Sequence, residues 1–213
     1  MDKMGIKEEE RQRQLIEKYD LLINEAANVT KMPNYKGYQH TGYELWEAQD
    51  GNLLDAAYID YMLEAIKQIF PDIYGTACRY LHGTNHRGYN CYIMKAEIFD
   101  GLNDFQFLIF KQLELYVKER NLSLHIKRTY AFIGEILYGI YIEYLMETKK
   151  YKIKELPLVW ILDAHKGNET KIKSMIGLSK IWLIYFLKKI WNIVLPCGSR
   201  KRIILAELRL RVK

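Results

Sequence analysis

Three features of the chain predict an α/β fold in which helices dominate. Apolar residues recur at three- and four-residue spacing along several segments, and a short run alternates side chains at period two. Of the 213 residues, 49% are hydrophobic, enough for a sizeable core.

The elements follow in order. Residues 5–19 place charged and apolar positions at helical spacing, and the apolar run after them predicts a strand around Leu21–Asn24. Residues 28–44, NVTKMPNYKGYQHTGYE, are rich in Asn, Gly, Thr and Tyr and predict an irregular surface loop able to line a site. From Leu53 to Phe70, the residues Leu54, Tyr58, Met62, Ala65 and Ile69 share one helical face, and Pro71 ends the pattern. Between Tyr74 and Gly88 three glycines, two histidines and two arginines predict a loop. The run Tyr89–Met94 then alternates, with Asn90, Tyr92 and Met94 on one face and Tyr89, Cys91 and Ile93 on the other. A helix from near Ala96 buries Ile98, Leu102, Phe105, Ile109, Leu113 and Tyr116. After the polar break KERNLSLHIK a third helix runs from about Arg128 to Met146. ELPLVWIL (155–162) predicts a short buried strand, and DAHKGNET a turn or linker. A basic aromatic helix closes the chain. Its most apolar window, Ile181–Leu195, is broken by Lys188 and Lys189, so it is too short and too charged to span a bilayer.

Charge is distributed unevenly. Residues 151–213 hold 14 basic and 4 acidic residues against 18 and 22 in residues 1–150, so a tail of +10 follows a body of −4. Trp182, Tyr185, Phe186 and Trp191 among Lys180, Lys188, Lys189, Arg200, Lys201 and Arg202 suit the headgroup layer of an anionic membrane, through residues 178–213. A core helix with a solvated basic end fits the same residues. Nothing in the tail supplies an ordered base-reading element, so nucleic acid is not expected as a partner. Cys78, Cys91 and Cys197 form no CxxC pair, and the start MDKMGIKEEERQRQ has no apolar leader, so reduced thiols and a cytoplasmic location are expected.

The residue pattern leaves few candidates for chemistry. Glu135 is the only charge between Thr129 and Ile142, and a carboxylate in that setting must be paired, raised in pKa or turned to a cavity. Arg128, seven residues earlier, lies on the same helical face about 10 Å away. Glu135 reads either as a ligand-facing acid or as a structural carboxylate that caps a loop or answers Arg87. Cys78, His82 and His86 recur at four-residue spacing, which would suit a metal on a helix, but Gly75 and Gly83 argue for a loop there, and no metal site is expected. The chain contains no GxxxxGK[ST], GxGxxG or DxD motif for a nucleotide diphosphate. Asp100 and Asp104 read as charges at a helix start. The 17 tyrosines suit either sugar clefts or a half-polar core.

Two segments carry a family resemblance. Tyr89, Asn90, Ile93, Met94, Lys95, Ile98, Phe99 and Asp100 match a Tyr-Asn-Met-Phe-Ile-Met strand leading into Lys-x-x-Ile-Phe-Asp, with Cys91 and Tyr92 in place of Met-Phe. Arg128, Phe132, Glu135 and Leu137 match Arg-x-x-Gly-Phe-x-x-Glu-x-Leu, with Ala131 in place of Gly and Ile136 in place of a frequent Arg. Over about residues 10–150 the chain resembles a bacterial domain of unknown function found in capsular and exopolysaccharide gene products beside glycosyltransferase domains. The ending LPCGSRKRIILAEL is similar to tails of several polysaccharide glycosyltransferases.

The resemblance implies a partial nucleotide-sugar glycosyltransferase domain of the GT-A kind over residues 1–160. Its opening strand and a Cys-His-Tyr-Arg-Arg segment are absent, and a membrane-contact tail follows over 161–213. It implies sugar transfer from a nucleotide-sugar donor to a saccharide or lipid-linked acceptor, or a non-catalytic partner of a complete transferase. In that reading Glu135 acts as base, and Asn90 and Tyr92 meet the sugar. Arg128, Arg87 and His86 offset phosphate charge. The donor half, with any divalent metal, would come from another segment or chain, and the protein would rest on the inner face of the membrane.

Overall fold

The computed structural model of the chain describes residues 3–32 and 39–157. Helix α1 (Lys3–Lys18) feeds strand β1 (Leu21–Asn24), which is buried along its whole length, as the apolar run predicts. Strand β1 is the middle of a three-stranded sheet. Strand β4 (Tyr92–Met94) pairs with it antiparallel, Leu22 opposite Ile93, and β5 (Ile153–Leu156) pairs parallel, Asn24 opposite Leu156. Asp20 pins the entrance to all three strands. Its carbonyl accepts the Lys95 N–H at 3.0 Å, and its carboxylate meets Lys95 Nζ at 2.5 Å and the Lys152 N–H at 2.7 Å. These hydrogen bonds, that of the Lys95 side chain foremost, hold the Asp20 carboxyl below its ordinary pKa.

The described ends of the segment expected to be a loop carry regular structure. Strand β2 (Ala27–Asn28) pairs with β3 (Asn85–His86), and Asn28 caps a 3-10 turn over Val29–Lys31. Helix α2 (Gly42–Glu47) is capped at its start: the Thr41 hydroxyl accepts the Glu44 N–H at 3.1 Å, and the Glu44 carboxylate reaches back past the cap to the His40 N–H at 2.9 Å.

Helix α3 (Ala57–Ile69) starts four residues later than its periodicity suggests. Buried Asp55 occupies the approach, where its Oδ2 accepts the N–H groups of His125 and Ile126, both at 2.9 Å. That bond anchors the polar break before the sixth helix. Pro71 ends α3 and also opens α4 (Pro71–His82), where its fixed φ and missing N–H suit the first helical turn. The expected loop over 74–82 is therefore helix. Ile73, Ala77, Tyr80 and Leu81 give it a buried face that outweighs the cost of one interior glycine.

Helix α5 (Ala96–Glu119) buries the six residues its spacing singles out. Helix α6 (Thr129–Thr148) is apolar nearly all round and lies at the centre of the molecule. Ile133, Ile136, Leu137 and Ile140 join the main cluster with α3, α4 and α5, while Tyr138, Ile142 and Leu145 pack under the sheet with Leu21, Ile23, Ile98 and Leu102. Each such aliphatic burial stabilises by about 2 kcal/mol. The close approach of α4 needs Gly139, because a Cβ there would overlap the Tyr80 hydroxyl.

Strand β5 lies slightly before the predicted position. Residues 158–162, the linker and the basic aromatic helix fall outside the described residues. Among the described residues no helix is long and apolar enough to cross a membrane.

Candidate functional site

The site is built on the turn that links β3 to β4. Tyr89 and Asn90 both have positive φ, 77° and 44°, so they form a turn and not the start of a strand. Only Tyr92–Met94 are extended, which corrects the placement of Asn90 on a strand edge beside Tyr92. Asn90 tolerates the left-handed region better than most residues, and its side chain is exposed at the tip.

Helix α6 clamps this turn. Glu135 lies beside the turn, close enough for the Tyr89 backbone N–H to favour its ionised form, and one turn further on the Tyr138 hydroxyl donates to the Cys91 carbonyl at 3.4 Å. Glu135 is half-buried, and desolvation raises its pKa against the lowering effects of the Tyr89 N–H and the Arg128 charge. Arg128, seven residues before Glu135 and at the N-cap of α6, is exposed, with its guanidinium 4.9 Å from the Phe132 ring centroid.

Beneath the turn lie His86 and Trp46. Their ring centroids are 5.5 Å apart at 75°, and Trp46 also meets Phe132 at 5.7 Å. Burial pushes the His86 pKa down to about 4, so at neutral pH it supplies no positive charge for a phosphate. Trp46 Nε1 and His86 Nδ1 are both buried without a hydrogen-bond partner. Gly88 must be glycine, since a Cβ would come within 2.7 Å of His86 Nε2.

Arg87 points the other way. It is 3% exposed; its guanidinium meets Glu155 at 2.6 Å, Glu143 at 3.9 Å and the Asn24 carbonyl at 2.5 Å. Its own N–H donates to the Tyr80 hydroxyl at 2.8 Å. The counter-charges of Arg87 are therefore Glu143 and Glu155, not Glu135, and its guanidinium is committed to the fold. Tyr92 packs on Tyr138 at 5.4 Å and on Phe99 at 6.3 Å.

The structure thus brings Glu135, Arg128, His86 and the Tyr89–Asn90 turn together, and it sets Arg87 and Tyr92 on the sheet side. Sequence reasoning missed Trp46, Tyr138 and Asn24. For Trp46 the Thr41–Glu44 capping signature was the available signal. Cys78 and His82 are on α4 while His86 is on β3, and among the described residues no three His, Cys, Asp or Glu side chains gather to hold a metal ion.

No curated protein matches the sequence. A solved structure described as the WbbM bifunctional glycosyltransferase in its apo form is similar in fold, with a TM-score of 0.56 at 20% identity over 75% of this chain. This chain spans 27% of the length of that one. Residues 2–148 match the family described as Domain of unknown function (DUF4422), and the chain belongs to that family.

Proposed function

We propose that the chain takes part in glycosyl transfer during capsular or exopolysaccharide synthesis, moving a sugar from a nucleotide-sugar donor to a saccharide or lipid-linked acceptor. The observation that carries this reading is Glu135, a half-buried carboxylate whose proton affinity burial raises, beside the Tyr89 N–H and within the field of the Arg128 cation. A carboxylate so poised suits removal of a proton from an acceptor hydroxyl. Arg128 then offers charge to a phosphate, and Asn90, exposed one residue beyond Tyr89, offers hydrogen bonds to a sugar. In this reading residues 1–160 form part of a GT-A-like domain whose donor half, with any metal, is supplied by another segment or chain. Residues 178–213, outside the described residues, rest on an anionic membrane from the cytoplasmic side. Deleting them should abolish co-sedimentation with anionic liposomes; unchanged sedimentation removes that part of the proposal.

Nucleotide-sugar turnover by the purified chain, alone and with the product of the neighbouring upstream reading frame, tests the main claim. Glu135→Gln keeps an acceptor beside the Tyr89 N–H, so the fold should stand while transfer falls by about 100-fold or more. Undiminished transfer by that variant rules out Glu135 as base. A second reading, a non-catalytic subunit that binds glycan for a complete transferase, is favoured by the place of Glu135 beside the Tyr89 N–H and the structural engagement of Arg87. Glycan binding without turnover in either setting would select it.

A further inference from the structure

Helix α5 carries a second pattern on the face it does not bury. Ile98, Leu102, Phe105, Ile109, Leu113 and Tyr116 turn inward, where they pack on α3, α6 and the sheet. The opposite face is open to solvent, with Phe107 66%, Leu108 44% and Leu115 40% exposed. Glu97, Asp104, Lys111 and Lys118 are exposed on the same side. Each of these four follows the last by seven residues, close to two full turns, so they form one row along about 32 Å of helix. The order in that row is acid, acid, base, base.

That order selects a partner. Beside a second copy running in the same direction, acid would meet acid and base would meet base. In antiparallel pairing about a two-fold axis between Phe107 and Leu108, Asp104 falls opposite the partner's Lys111 and Glu97 opposite the partner's Lys118, and symmetry repeats both pairs. Phe107 then meets the partner's Leu108, while Leu115 flanks this apolar centre and has Asp100 across from it at the rim. A two-fold contact requires such self-complementarity. Among the described residues none of the four charged side chains has an ion pair within the chain, so their charges are open to a partner. An anionic membrane fits the row less well, because its acidic half would be repelled.

We infer that the outer face of α5 pairs antiparallel with the same face of a second copy, giving a two-fold dimer with Phe107 and Leu108 at its centre and Asp104 paired with Lys111 on either side. The inference is independent of the transfer reading. A contact one helix wide covers less than the roughly 1,600 Å² of a standard interface, so association belongs in the micromolar range.

Sedimentation equilibrium of the full chain, from about 1 μM to about 1 mM, reads the monomer–dimer balance. The wild type should dimerise reversibly. Asp104→Lys sets like charges across the axis and should raise the dissociation constant about tenfold or more, as should Lys111→Asp. The chain carrying both substitutions exchanges the two charges and should regain the wild-type constant. An equimolar mixture of the two single variants should form the mixed dimer at concentrations where neither pairs with itself. Both positions are exposed, so all the variants should melt like the wild type where each is monomeric. A wild type that stays monomeric throughout the range overturns the inference. So does a dimer indifferent to the single variants, as one formed through residues 178–213 would be, or a double variant as weak as the single ones, since the loss then owes nothing to pairing of Asp104 with Lys111.

Discussion

Asn90 and His86 show how the backbone decides what a side chain can do. The alternation of residues 89–94 suggests a strand, but the positive φ at both Tyr89 and Asn90 makes the first two a turn. For Asn this conformation is mild. For Tyr it costs about 1–3 kcal/mol, and the Tyr89 ring meets His86 at 6.2 Å while its carbonyl accepts from the Cys91 thiol at 3.3 Å. His86 beneath it faces Trp46, Tyr89 and Gly88 and is kept neutral by burial, with a pKa of about 4 against 6.5 when unfolded. Between those values the unfolded chain binds the extra proton. His86 therefore contributes stability that is complete above about pH 6.5 and is lost as pH falls toward 4, a change of about 3 kcal/mol. Glu135, also near Tyr89, has a raised pKa and acts with the opposite sign, so the comparison must isolate His86. Thermal melts of the wild type should lose more stability between about pH 7 and pH 4.5 than melts of His86→Phe. Parallel losses would show that His86 is not held neutral by the fold.

At the scale of elements, what the sequence makes legible is what repeats locally. The buried stripe of α5 was readable because six apolar residues keep one helical face over the length of the helix, and β1 because its apolar run is short and bounded. The spacing of Arg128 and Glu135 likewise predicted that the two share a face of α6, and the Arg128 charge does act on Glu135. Helix α4 was hidden by its composition. Gly75, His82 and Gly83 suggest a loop, and only packing of Ile73, Ala77, Tyr80 and Leu81 against α3 and α6 makes it helical. Helix α2 was announced by Thr41 and Glu44, a signal overlooked inside a segment rich in loop formers. The site divides the same way. Glu135 stood out as a lone charge in an apolar run, whereas Asn24 and Trp46 look ordinary in sequence and matter only for the partners their buried polar atoms lack.

Arg87 acts on the whole molecule, because it touches every part that meets beneath the site. Its backbone N–H reaches Tyr80 on α4, and its guanidinium reaches the Asn24 carbonyl on β1, Glu155 on β5 and Glu143 on α6. No local pattern could have paired these residues, since the carboxylates come from the far end of the described chain. Arg87→Met keeps most of the side-chain volume but leaves two carboxylates without their counter-ion, and should destabilise the fold by about 3 kcal/mol. For a chain of this length that lowers the melting temperature by roughly 6–12 °C. Burial raises the Glu143 pKa while Arg87 lowers it, so without Arg87 this carboxyl takes up a proton at higher pH. Protonation removes the uncompensated charge, and the stability gap between wild type and Arg87→Met should narrow as pH falls from about 7 toward 5. A gap that stays constant over that range would mean that Arg87 stabilises through its packed stem and neutral contacts, with the Glu143 charge of no consequence.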